Sequence, residues 1–365
     1  MSQMDIKDIF NRFNVSGTWL DGKPTGSGHI HSTWLILTRE EDEPDYILQK
    51  INDKVFPPVA EMMNNIQKIT SHIKKKIIPD SIQQVLEVIQ TKGNRTHYTD
   101  SSGIHWRLYR KVDPGISYDV IPNEKVAFEA GKAFGKFISD LEDLPADDLF
   151  TIIPGFHSVD WRYQQLKEAV ARNSTGRAVD VKEEIAFAKT HIEKMRIIPG
   201  RERVGKIPVR ITHNDTKLNN ILFDEQDRAV CVIDLDTVMP GLSLYDYGDL
   251  IRTATNTAEE DEPDLNRIQF SIPVFREITR GFFESTSHFL TRDEIELLTL
   301  SAQYMTYIMG IRFLADYLSG DVYYQTSYSD HNIRRCKAQF RLMQLMIDNY
   351  QESREVVSQI SNKNF

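Results

Sequence analysis

Residues 208–236, PVRITHNDTKLNNILFDEQDRAVCVIDLD, decide how this chain is read. A short β-rich run ends at His213-Asn214-Asp215, and Asn220 leads into the apolar Ile221-Leu222-Phe223. Residues 224–228 are polar and read as a turn; a second apolar run, 229–233, then delivers Asp234 and Asp236. Two apolar runs joined by a polar turn predict a hairpin, which folds Asp234 back close to Asn220.

That arrangement suits metal-dependent phosphoryl transfer. A hydroxyl nucleophile needs a carboxylate to orient it and accept its proton, and Asp215 can supply one. Mg²⁺ takes oxygen ligands; an Asn220 carbonyl and an Asp234 carboxylate provide two. The spacing matches the H-x-D-x-x-x-x-N motif with a following metal-binding Asp. Lys217, two residues beyond Asp215, can place its ammonium on the transferring group. The bland reading is a surface hairpin, since Asp and Asn favour turns. The ordered set His213, Asp215, Lys217, Asn220, Asp234 at the edges of two apolar strands outweighs it.

With 365 residues the chain suits two domains or one bilobal unit. Its net charge of −9 argues against a nucleic-acid or acidic-membrane surface, while leaving room for a local basic pocket. The two cysteines, Cys231 and Cys336, offer neither a disulfide framework nor a zinc cluster. MSQMDIKDIFNRF lacks the apolar centre of a signal peptide, and no apolar run is long enough to span a bilayer. A cytoplasmic protein is expected; the oligomeric state stays open, and a monomer is compatible with it.

Upstream, residues 5–13 resemble a short amphipathic helix with Ile6, Ile9 and Phe10 on one side, and 19–37 reads as strand, turn, strand. The turn holds Gly26, Ser27 and Gly28, where backbone N–H groups can approach phosphate oxygens. Residues 45–51 form the next strand, where a kinase carries its phosphate-pairing lysine. Lys50 is present, but Gln49 competes for the inward position, and alternation allows only one of them to face inward. Helical spacing of Val59, Met62, Ile66, Ile69 and Ile73 predicts a helix over 57–76, with Glu61 either pairing with Lys50 or facing solvent. Runs 85–91, 95–99 and 104–112 read as strands. The interlobe hinge is placed at 110–115, beginning at Arg110, which divides the chain into 1–112 and 113–365.

Beyond the hinge the pattern turns helical. Val126, Ala130, Ala133, Phe134, Phe137 and Leu141 suggest one helix, and 159–172 and 181–195 two more. His157 and His191 lack metal-ligand companions and read as structural or exposed. Asp246 and Asp249 read by default as caps of the next helix. Long helices are expected at 274–286, 292–318 and 332–360, the last two separated by the aromatic loop Gly320-Asp321-Val322-Tyr323-Tyr324. The expected fold class is α+β: a bilobal protein-kinase-like fold with a small antiparallel N-lobe and a larger, mostly helical C-lobe.

The Asp-Phe-Gly marker of protein kinases is replaced by Asp234-Leu235-Asp236. The whole resembles the aminoglycoside phosphotransferase and choline kinase superfamily, and within it the N-acetylhexosamine 1-kinases. GHIHSTWL, YILQKIN, SYDVIPN, RITHNDTKLNNIL, IDLDTVMPG, YDYGD and IRFLADYLSGDVYY carry the likeness over nearly the whole chain. It implies phosphorylation of the anomeric hydroxyl of N-acetylglucosamine or N-acetylgalactosamine with ATP and Mg²⁺. By the same resemblance Asp215 is the base and Asn220 and Asp234 hold the metal. Arg312 and Tyr323 would bind the sugar, with His29 and Ile30 closing over it, while the candidates for the nucleotide stay Gly26, Ser27, Gly28, Arg110 and whichever of Gln49 and Lys50 faces inward. Without the resemblance Arg312 reads as a helix-surface partner of Asp316 at i+4, and Tyr323 as loop packing. The rival acceptors are choline, an aminoglycoside or homoserine. A choline cage would draw on Tyr304, Tyr307, Tyr323 and Tyr324. The rival of another class is a non-catalytic nucleotide-binding module.

Overall fold

A computed structural model describes residues 3–26, 30–79, 81–256 and 258–364. The first portion comprises α1 (Gln3–Phe10), β1 (Trp19–Pro24), β2 (Ser32–Thr38), β3 (Tyr46–Lys50), α2 (Val59–Lys74), β4 (Val88–Ile89), β5 (Tyr98–Thr99) and β6 (His105–Arg110). The strands pair antiparallel in the order β1-β2-β3-β6-β4, with β5 also on β6. Period-two alternation divides the sheet cleanly. Tyr46, Leu48, Trp106 and Leu108 face outward onto Ile6, Ile9 and Phe10 of α1. Ile47 and Tyr109 face inward onto Met62, Met63, Ile66 and Ile69 of α2. The expected strands at 85–91 and 95–99 shrink to two residues each. Residues 81–85 leave the sheet to lie on the downstream hairpin instead, where the Gln84 N–H donates to the Val230 carbonyl at 2.7 Å.

The remainder runs α3 (Glu124–Asp140), α4 (Val159–Arg172), α5 (Lys182–Met195), α6 (Ile197–Arg203), β7 (Arg210–Thr212), β8 (Ile221–Phe223), β9 (Ala229–Val232), β10 (Met239–Gly241), α7 (Ser243–Ala254), α8 (Ile272–Thr286), α9 (Arg292–Ser319), α10 (His331–Asp348) and α11 (Tyr350–Asn364). β8 and β9 form the expected hairpin; β7 and β10 form a second ribbon beside it. α6 was not anticipated; Pro199 sits in its first turn, where a missing N–H costs nothing. The helix expected over 332–360 is two helices. At Asn349 the side-chain amide donates to the Leu345 carbonyl at 2.8 Å, a local bond that competes with helix continuation.

α9 is apolar and buried nearly all round, which makes it the central post of this portion. A capping box of Thr291 and Glu294 starts it, and Arg210 of β7 bonds the same Glu294 carboxylate at 3.1 Å. α3 and α8 touch backbone to backbone: a Cβ on Gly281 would lie 1.9 Å from the Phe128 carbonyl oxygen, and one on Gly131 2.0 Å from that of Ile278. Any side chain there would force the helices apart. A separate apolar cluster joins α2 to the hairpin through Val230, Cys231, Leu235 and Met239. The sheet and the hairpin are thus fixed to each other by a shared core, giving the expected α+β kinase-like architecture. Among the described residues no helix is long and apolar enough to cross a membrane.

Candidate active site

The loop after β7 is held by buried polar contacts. His213 donates from Nε2 to the Ile233 carbonyl at 2.9 Å and accepts the Asp215 N–H on Nδ1 at 3.3 Å, its ring lying between Phe134 and Phe137. Asn214 takes a left-handed conformation (φ 65°), secured by its Nδ2 donating to the Thr212 and Thr237 carbonyls at 3.0 Å each. Asp246 does not cap α7, whose N-cap is Leu242. Its buried carboxylate accepts the N–H groups of His213 and Asn214 at 2.8 and 2.7 Å, because it projects from the helix face packed against the loop. Burial pushes its pKa up to about 6. Asp249 likewise does not cap; it bonds Arg252 at 2.8 Å within the helix.

These constraints leave Asp215 partly open to the cleft. Its carboxylate meets the Lys217 ammonium at 3.0 Å. Burial works against its charge, yet Lys217, His213 and Arg252 hold its pKa below the usual range, so it is ionised at neutral pH. Asn220 donates from Nδ2 to the Asp215 carbonyl oxygen at 2.8 Å. That bond orients the amide and leaves Oδ1 as the group able to take a cation. The Ile233 N–H donates to the Asn220 carbonyl at 2.9 Å, bringing Asp234 beside it. Asp234 sits in a left-handed turn (φ 59°) and its carboxylate makes no hydrogen bond among the described residues. Solvent reaches it at the bottom of the cleft, but desolvation and the neighbouring Asp236 and Asp215 raise its pKa to about 6.

An uncompensated carboxylate beside an oriented amide oxygen fits a hard divalent cation. Among the described residues no group of three His, Cys, Asp or Glu side chains could hold a metal alone. A cation here would complete its shell with phosphate oxygens and water, which is the habit of Mg²⁺ rather than of Ca²⁺ or Zn²⁺.

On the opposite wall the register settles which residue of β3 faces in. Gln49 pairs with Arg107 and Lys50 with Trp106. Gln49 accepts the Arg107 Nε–H at 2.9 Å on the inward face. Lys50 belongs with the outward set beside Asp100, and Glu61 is exposed on α2. Arg110 also lies outward, its guanidinium 3.6 Å from Glu87. Alternation therefore removes Lys50 and Arg110 from the cleft. Arg107, which sequence reasoning missed, grips Asp236 with both Nη groups, the second at 2.9 Å, and His31 Nε2 meets the same carboxylate at 2.6 Å. Gly26 is a left-handed glycine (φ 83°) at the start of the turn, and Ile30 is exposed at its end. Ser27, Gly28 and His29 lie outside the described residues.

A third group gathers on α9. Arg312 has no carboxylate partner among the described residues. Its guanidinium lies over Phe156, Tyr324 and Tyr323 at 5.3, 5.5 and 6.0 Å. Asp316, the i+4 partner that Arg312 would have without the resemblance, instead accepts the N–H groups of Val322, Tyr323 and Tyr324 at 3.0, 2.8 and 2.9 Å, pinning the loop that presents Tyr323 to solvent. Tyr304 and Tyr307 are buried, with their hydroxyls on the His157 and Ala188 carbonyls. His157 donates from Nε2 to the Asn214 carbonyl at 3.0 Å, so the Arg312 cluster abuts the catalytic loop. Burial, with help from Arg312, lowers the His157 pKa to about 4. The bond pattern of Asp316 and the burial of His157 had no signature in the sequence.

The matching family model is that of the phosphotransferase enzyme family, over residues 21–278. The chain belongs to this family, and the enzyme class is that of a phosphotransferase. Solved structures with the same fold include a spectinomycin phosphotransferase in complex with ADP and spectinomycin (TM-score 0.61, 11% identity, 96% of this chain and 99% of that one). A choline kinase from Cryptosporidium parvum Iowa II (0.59, 13%, 98% and 99%) is similar too. So is an amicoumacin kinase in complex with AMP-PNP and Ca²⁺ (0.58, 9%, 93% and 92%).

Proposed function

We propose that this phosphotransferase uses ATP and Mg²⁺ to phosphorylate the anomeric C1 hydroxyl of N-acetylglucosamine or N-acetylgalactosamine, giving the sugar 1-phosphate. Nucleotide binding is assigned to residues 1–112, with Gly26, Ser27 and Gly28 as the candidate phosphate-binding residues, and acceptor binding and catalysis to 113–365. Such a reaction belongs in the cytoplasm, where ATP is made.

The observation that carries the acceptor reading is Arg312, without a carboxylate partner among the described residues and ringed by aromatic faces beside the loop that bears Asp215. Guanidinium donors suit the hydroxyl and acetamido oxygens of a neutral sugar, and the exposed Tyr323 ring offers a face for its apolar side. A choline acceptor fits poorly: Tyr304 and Tyr307 are buried and bonded, and the Tyr323 and Tyr324 rings already face a cation. A polycationic aminoglycoside would meet Arg312 together with Arg162, which also has no carboxylate partner among the described residues and whose pKa is lowered to about 10 by burial and Arg312.

In this reading Asp215 orients the C1 hydroxyl and accepts its proton, while Lys217 turns its ammonium to the transferring phosphoryl group. Asn220 and Asp234 would hold Mg²⁺, whose charge, when it is bound, would offset that of the phosphate oxygens. Transfer is direct and in line, with no phosphoenzyme. His29 and Ile30 are assigned to the sugar by the same reading, and lobe closure would exclude water, otherwise ATP hydrolysis competes. The test is ³¹P NMR with ATP, Mg²⁺ and each N-acetylhexosamine in parallel. A sugar 1-phosphate resonance coupled to the anomeric proton is expected. Nucleotide binding without that resonance for either sugar would move the acceptor to another small alcohol.

A further inference from the structure

We propose that His31, Gln49, Arg107 and Asp236 form a positioning latch that stands in for the lysine–glutamate pair of kinases and holds Asp234 in place. This rests on membership of the phosphotransferase family and on the metal site, not on the identity of the acceptor.

The latch is buried and saturated. Arg107 is 1% exposed and Asp236 2%. Arg107 donates from Nε to Gln49 Oε1 at 2.9 Å and from both Nη groups to the two oxygens of Asp236. The Asn52 N–H donates to His31 Nδ1 at 3.0 Å, so that nitrogen carries a lone pair and the proton sits on Nε2, which donates to Asp236 at 2.6 Å. Asp236 thus takes three N–H donors, two from Arg107 and one from His31, and is almost wholly buried. A carboxylate so engaged is not a second metal ligand. Asp234, two residues earlier, is the opposite: its carboxylate is free of hydrogen bonds among the described residues. Leu235 between them is buried in the core shared with α2, so the two carboxylates are forced apart, one into the latch and one into the cleft.

The contacts also span the molecule. His31 lies immediately before β2, just after the glycine-containing turn; Gln49 is on β3, Arg107 on β6, and Asp236 follows the hairpin. Strand alternation puts Gln49 where kinases place a lysine. An amide cannot supply that charge, and the neighbouring strand brings a guanidinium whose fork fits both the amide and the carboxylate. The start of β2 and the segment bearing Asp234 are thereby tied through one group.

The test is calorimetric titration of the full chain with ADP, with and without Mg²⁺, alongside circular dichroism. Loss of an outer contact that orients a metal ligand costs roughly 10–100-fold in metal affinity. His31→Leu and Arg107→Lys, whose single ammonium cannot bridge amide and carboxylate, are each expected to weaken Mg²⁺-dependent ADP binding to that extent. Metal-free ADP binding should be unchanged, and His31→Gln, which keeps an N–H donor, should recover part of the loss. Folded variants that bind Mg·ADP as the wild type does, or that lose both forms equally, overturn the proposal. Should Arg107→Lys fail to fold, His31→Leu and its rescue by His31→Gln decide it. All of these titrations omit the acceptor, so they stand even if neither N-acetylhexosamine is phosphorylated.

Discussion

The two ends of the cleft are built on opposite plans. At the end assigned to the nucleotide, charge is buried and cross-linked: Arg107, His31 and Asp236 are almost without exposure and reach between distant segments. At the end assigned to the acceptor, Arg312 has no carboxylate partner among the described residues, Tyr323 is 65% exposed, and the Asp316 carboxylate orders the loop through backbone N–H groups. On the proposed reading the first end holds Asp234, the assigned metal ligand, in place. The second holds a surface that a ligand completes. Asp215 lies between them, and substitutions should separate the two ends by which ligand they affect.

The largest effect is expected at the shared point. Asp215→Asn should lower kcat by about 10²–10⁴-fold, the range for general-base catalysis, with ADP affinity by calorimetry little changed. Loss of nucleotide affinity with turnover intact would place Asp215 at the nucleotide end and break the comparison.

Next comes His157, which joins the acceptor wall to the catalytic loop. Its folded pKa of about 4 lies below an unfolded value near 6.5, so the folded protein keeps the imidazole neutral. Stability from this group is complete above pH 6.5 and is lost as pH falls through about 4; the shift amounts to about 3 kcal/mol. His157→Gln, which keeps a donor for the Asn214 carbonyl, should flatten the dependence of urea-unfolding free energy on pH between those values. A variant with the same acid slope as wild type would locate the acid sensitivity elsewhere.

A smaller effect tests the acceptor end alone. Asp316→Ala removes the partner of three consecutive N–H groups. Hydrogen bonds to a charged group contribute about 1.5–3 kcal/mol each, most of which water can recover at an exposed loop. We expect the acceptor KM to rise by roughly tenfold, about 1.4 kcal/mol, with the KM for ATP unchanged. A parallel rise in both constants would mean that the loop supports the whole cleft.

The same division governs what could be read from sequence. The hairpin was legible because His213, Asp215, Asn220 and Asp234 fall within one short stretch, and their spacing is itself the constraint. The long helices were legible from 3.6-residue periodicity, apart from the break at Asn349, where a side-chain bond decides. Arg107 was not legible. HWRLYR alternates as any half-buried strand does, and its decisive contact lies 129 residues away. Asp316 and Asp246 misled for a related reason: local rules offer each a nearby partner, at i+4 or at a helix start, whereas tertiary packing supplies several backbone N–H donors that suit a buried carboxylate better.

Lys217 gives the finest test. Its ammonium is nearly half exposed and rests on Asp215 at 3.0 Å, so it belongs to neither buried latch nor acceptor wall. Solvent screens such a charge, and its contribution should fall below the 10²–10³-fold of a buried oxyanion donor. Lys217→Ala should lower kcat by about tenfold, and Lys217→Arg, which keeps the charge, should recover much of it. The acceptor KM should stay put, because the ammonium acts on the phosphoryl group as charge develops and not on the sugar at rest. An unchanged kcat would leave Lys217 as a resting counter-ion of Asp215 only. A raised acceptor KM with kcat intact would instead move Lys217 to the acceptor end and redraw the line between the two halves of the cleft.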